Sequence, residues 1–179
     1  VAVSVTSKAA PFYVTIPLPN KNDWLYDVYA YPKNQVTEGP SKEINKDSDQ
    51  GGYKVGDTVE YTISQTVPAL KAGVDEYTSA KIWETFSPGM VFGETLGSVQ
   101  VNGNDVVYTQ TPSDAADVVS VEWALGPDAL ANLKEGDVIT VTFTGKVTEV
   151  TEGGSIENPM SEDPSKPGYG SEFNGDKTP

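Results

Sequence analysis

Short runs in which apolar and polar residues alternate, each closed by a turn containing Gly, Asn or Asp, dominate this chain from Lys42 to Val147. A period of two puts every second side chain on one face of an extended strand, so a chain written this way forms sheets with one buried face. The runs are Lys42–Lys46, Thr58–Gln65, Ala80–Phe86, Met90–Phe92, Val99–Val101, Asp105–Gln110, Val118–Ala124 and Val138–Val147. Turns at Asp49–Gly52, Val55–Asp57, Pro88–Gly89 and Asn102–Asp105 separate them. One short helix is predicted over Pro127–Leu133, with proline at its start and Gly136 just past its end. The spacing predicts an all-β antiparallel sandwich.

Composition removes several chemistries. The 179 residues include no cysteine and no histidine, so disulfides, thiolate nucleophiles, zinc–thiolate sites and histidine bases are excluded. A chain of this length can bury a core without them. Twelve basic against 26 acidic residues give a net charge of −14, which repels nucleic acid and anionic membrane surfaces and favours solubility. No apolar run is long enough to span a membrane. Asn45–Gly52 spaces oxygen ligands loosely like a calcium loop but lacks the closing bidentate glutamate. No pair of carboxylates is singled out for glycoside hydrolysis. The expectation is no metal, no cofactor and no enzymatic turnover.

The N-terminal part is read separately. Val1, Val3 and Val5, then Phe12, Val14, Ile16 and Leu18, predict two strands, and a lone hairpin is marginal in water. They are taken as the end of an N-terminal domain. In Trp24–Asn34, Trp24, Tyr26, Val28 and Ala30 fall on one side, and Leu25, Asp27, Tyr29, Tyr31 and Lys33 on the other. Pro32 has no amide donor, which sends this end to a sheet edge or a loop. Lys33 is thereby expected to be an accessible amine on a stiff backbone.

The pattern Trp24, Val28, Ala30, Tyr31, Pro32, Lys33, Asn34 resembles the pilin motif of backbone subunits of sortase-assembled Gram-positive pili. Only Ala30 departs, standing where valine is commoner. The resemblance implies that the Lys33 amine attacks the acyl-enzyme that a pilin sortase forms on the next subunit, joining the two by an amide. Neighbouring copies of the subunit, the sortase and accessory pilins are the implied partners. The implied location is extracellular, in the cell-wall fimbrium.

A second set of residues resembles backbone pilins and collagen-binding adhesins with CnaA-type immunoglobulin-like domains: Pro40–Ile44, Ile82–Met90 and Ile156–Pro159. There a lysine, an acid and an asparagine react to form an intramolecular isopeptide bond. Carried over, these are Lys42, Glu84 and Asn158, with Glu84 as the catalytic acid. The chemistry asks for a neutral lysine and a protonated acid, and burial drives both. By parity Ile82, Glu84 and Phe86 share a core-facing side, where a carboxylate is costly without a purpose. Lys42, Ile44 and Lys46 also share a face. Glu84 stands where many such domains have aspartate, and proline follows Asn158. Lys46 competes with Lys42, and Asp57 with Glu84. Asp57 fits a turn that bonds nearby backbone.

The resulting expectation is a three-part organisation. Residues 1–34 end an N-terminal domain and carry the pilin motif, 35–172 form the immunoglobulin-like domain, and 173–179 lead toward a further domain. No LPxTG-type sorting signal is found. The function implied is a pilus shaft subunit; the alternative is a monomeric cell-wall adhesin module binding a host matrix ligand.

Overall fold

The computed structural model describes residues 18–20, 23–25, 39–45, 52–113, 117–150 and 158–177, and the chain divides into two units, Val1–Thr37 and Glu38–Pro179. In the first unit, β1 (Leu18–Asn20) pairs antiparallel with β2 (Asp23–Leu25), with Pro19 opposite Trp24. The expected strands before Leu18 and the segment Tyr26–Asn34 lie outside the described residues.

Alternating side chains build the second unit into two sheets. Its strands are β3 (Ser41–Ile44), β4 (Thr58–Thr66), β5 (Glu76–Thr85), β6 (Met90–Thr95), β7 (Gln100–Val101), β8 (Asn104–Asp105), β9 (Tyr108–Thr111), β10 (Ser120–Leu125), β11 (Val138–Val147) and β12 (Gly168–Asp176). One sheet runs β12-β5-β10-β9; the other runs β3-β4-β11-β7-β8, with β6 also on β11. The strand pairs are antiparallel. Inward residues of both sheets form one core, as the alternation predicts. Phe143 on β11 is fully buried, with Trp123 of β10 at 5.1 Å, Tyr61 of β4 at 5.6 Å and Phe86 at 6.1 Å between ring centroids. Each such contact adds about 0.5–1.5 kcal/mol beyond area burial.

Three local features differ from the sequence reading. The run expected over Asp105–Gln110 is broken, because the chain changes sheets there. Val106 donates its amide to Val99, while the Val107 carbonyl accepts from Gly126, so β8 ends in one sheet and β9 starts in the other. Helix α1 (Pro127–Asn132) stops one residue early, with Leu133 already extended and Gly136 turning at φ +86°. Strand β12 was not expected at all, and it reaches Asp176, inside the stretch read as a linker.

The reason for β12 is instructive. Its outer face carries Gly168 and Gly170, and the strap of residues 158–167 crosses directly over them. A Cβ on Gly170 would collide with the Ser161 carbonyl and the Trp83 indole. Glycines that read as turns in sequence are here the floor under a crossing backbone. Gly170→Ala should therefore cost about 1–3 kcal/mol of stability through overpacking. Chemical denaturation would show it as a lower midpoint at unchanged slope; an unchanged midpoint contradicts the close approach.

Candidate functional site: a buried lysine, glutamate and asparagine

Three separate parts of the sandwich converge on one point. Lys42 is the second residue of the edge strand β3 and stands opposite Ile63 of β4. Cross-strand partners share a face, and Ile63 is fully buried, so Lys42 points inward. Glu84 lies on β5 of the other sheet, between Val121 of β10 and Tyr169 of β12. It is 0% exposed, and Ile82 and Phe86 are buried with it, as the parity argument expects. Asn158 enters from the strap before β12, where Pro159 and Ser161 bond the Tyr169 backbone.

The contacts are short. Lys42 Nζ lies 3.0 Å from Glu84 Oε1 and 2.9 Å from Oε2. Asn158 Nδ2 donates to Glu84 Oε1 at 2.6 Å and to the Thr85 carbonyl at 3.2 Å. One carboxyl thus bridges two nitrogens. Asn158 Oδ1 is buried and accepts no hydrogen bond among the described residues. The rings of Tyr61, Tyr169 and Phe86 surround Nζ, with centroids at 4.6, 5.2 and 5.9 Å.

Burial acts on both titratable groups. It is the largest influence on both partners, pushing the Lys42 amine below its ordinary value and the Glu84 carboxyl above its own. Their mutual attraction and hydrogen bonds, and the Asn158 bond to Glu84, push the other way and lose. Both shifts favour a neutral amine beside a protonated acid. The same burial raises the hydroxyls of Tyr61 and Tyr169, with Glu84 adding to it.

The remaining candidates fall elsewhere. Asp57 is exposed and accepts the Lys54 amide at 2.7 Å within its own turn, so it does not join Lys42. Ile44, read as sharing a face with Lys42, is 50% exposed because β3 ends there at the sheet edge. Lys46, most of the Asn45–Gly52 loop, and Val28, Ala30, Tyr31, Pro32, Lys33 and Asn34 lie outside the described residues. Trp24 sits in β2. Among the described residues no cluster of acidic side chains is arranged to hold a metal ion. Sequence reading missed Tyr61 and Tyr169; Tyr61 shares the inward parity of Ile63, which was a usable signal.

No family model matches the chain. It is 35% identical over 171 residues to the fimbrial subunit type 2 of Actinomyces naeslundii, an alignment covering 87% of this chain and 29% of that one. The chain is homologous to pilus subunits. The full-length major pilin SpaD of Corynebacterium diphtheriae resembles this pilin homologue in structure as well, with a TM-score of 0.57 and 31% identity. That match covers 79% of this chain and 34% of SpaD. The homologue therefore spans about a third of the length of the relatives it matches. Its sandwich is of the immunoglobulin-like pilin kind, as the sequence predicted.

Proposed function

We propose that this pilin homologue is part of the shaft subunit of a covalently polymerised cell-surface pilus, stabilised by an internal bond between Lys42 and Asn158. One observation carries the internal bond: the fully buried Glu84 carboxyl touches both the Lys42 amine and the Asn158 amide nitrogen. The neutral Nζ attacks Asn158 Cγ. Its surplus proton passes to Glu84, which gives one to the departing Nδ2. A C–N bond forms, a C–N bond breaks, ammonia leaves, and Glu84 ends as it began. No oxidant or cofactor is needed. The polymerising link through Lys33 rests on the Trp24–Asn34 motif and on the homology with fimbrial and pilin proteins. The pilin sortase and neighbouring copies are the partners of that step.

Intact-mass measurement with peptide mapping tests the internal bond. The expected mass falls short of the sequence value by one ammonia, with Lys42 and Asn158 peptides joined. A full-value mass rejects it.

The rate should also have a defined pH dependence. The reactive state, neutral amine plus protonated acid, holds as many protons as the ion pair, so the rate is flat while the pair's proton count is fixed. It falls at low pH, where the pair gains a proton and the amine is charged. It falls at high pH, where the acid is lost. With Glu84 raised from 4.5 and Lys42 lowered from 10.5, both limbs should lie inside that interval. Refolding fresh chain across pH and reading ammonia loss by mass checks this; a rate rising steadily above pH 10.5 contradicts it.

A further inference from the structure

We propose that Thr85 is a positioning residue for the Lys42–Asn158 bond, holding the asparagine in place through its hydroxyl; the inference rests on the internal bond argued above. Thr85 closes β5, directly after Glu84, and is 7% exposed. Its Oγ1 lies 2.7 Å from the Pro164 carbonyl and 2.9 Å from Ser120 Oγ. A carbonyl can only accept, so the single Thr85 proton is committed to Pro164. Ser120, opposite Thr85 on β10, must then be the donor to Thr85. The Thr85 carbonyl meanwhile accepts from Asn158 Nδ2. One residue therefore grips the strap at Asn158 and again at Pro164.

The strap needs such a grip. Most of residues 159–167 are exposed and none is fully buried, so hydrogen bonds fix its course rather than packing. Two of these come from β12: the Tyr169 amide donates to Pro159 at 3.2 Å, and the Ser161 amide donates to Tyr169 at 2.8 Å. On the other side of Thr85, Gly168 of β12 leaves room for the strap, since a Cβ there would meet the Pro159 carbonyl. Thr85 ties the far part of the strap to β5, the strand that carries the acid. Without that tie Asn158 would sample positions away from Glu84, and reactions of this kind fall off steeply with misplacement.

The test compares wild type, Thr85→Val and Thr85→Ser, each refolded from denatured, unreacted chain made by cell-free synthesis, with ammonia loss followed by intact mass. Valine keeps the shape and removes the donor, so the rate should fall roughly three- to tenfold, the equivalent of one hydrogen bond. Serine should stay within about twofold of wild type. The pH limbs should not move in either, because Lys42 and Glu84 set them. In an Asn158→Ala background, where no bond forms, Thr85→Val should speed amide exchange at Ser161 and Tyr169 and Thr85→Ser should not. Valine reacting at the wild-type rate, or serine as slowly as valine, overturns the role of Thr85 alone. A wild-type chain that never loses ammonia overturns the internal bond and this role with it.

Discussion

An Asn158→Ala chain should keep the full mass of its sequence and melt roughly 10–25 °C below wild type. The bond it lacks would close a loop of on the order of a hundred residues, and a cross-link of that span stabilises by about 4–5 kcal/mol, chiefly by restricting the unfolded chain. Alanine removes the electrophile and its two hydrogen bonds to Glu84 and Thr85 but leaves Lys42 and Glu84 together. This makes it a cleaner test than Lys42→Ala, which leaves an acid buried without its partner. Calorimetry and intact mass on the same samples decide the matter. A melting point equal to wild type, or a mass still short by ammonia, would show that Asn158 is not the joined residue.

Loss of polymer is the larger effect expected at the other lysine. In the full-length protein, Lys33→Ala should abolish the ladder of covalent multimers seen when the cognate pilin sortase is present, while the internal ammonia loss continues unchanged. The two proposed reactions share a functional group and would differ in who supplies the acyl partner. The accessible amine expected beside Pro32 from the sequence suits an external enzyme, whereas one buried against Tyr61 and Glu84 is closed to it. Denaturing gels are the readout. A ladder that persists in Lys33→Ala would show that another amine makes the link; a wild-type chain that forms no ladder would favour the adhesin reading, in which Lys33 is only an exposed side chain.

How much of this was legible depended on whether a residue's role is local. Strand β11 matched its expected bounds, because ten alternating residues fix both period and length. Glu84 could be placed inward by parity alone, since its neighbours two positions away are apolar. Asp57 could be assigned to a turn because its bond partner, Lys54, is three residues off. What could not be read depends on partners far along the chain. Strand β12 hides behind glycines whose reason is the strap above them. The break at Val106–Val107 arises from bonds to Val99 and Gly126, which draw the chain from one sheet to the other. Thr85 looks ordinary until Pro164 and Asn158 are set beside it.

Strand β3 has one further consequence. It is four residues long and, among the described residues, pairs only with β4, from Ser41 opposite Ser64 to Ile44 opposite Tyr61. Four pairs at a sheet edge are a weak fastening for a domain loaded from its ends. The proposed bond would sit at the second residue of that strand, so only the residue ahead of it could come loose. The chain between Lys42 and Asn158, on the order of 400 Å when drawn out, would be withheld from extension altogether. A fibre of such subunits would then be close to inextensible. Its compliance would lie in the segments outside the ring, with β12 among them, and in none of strands β4 to β11.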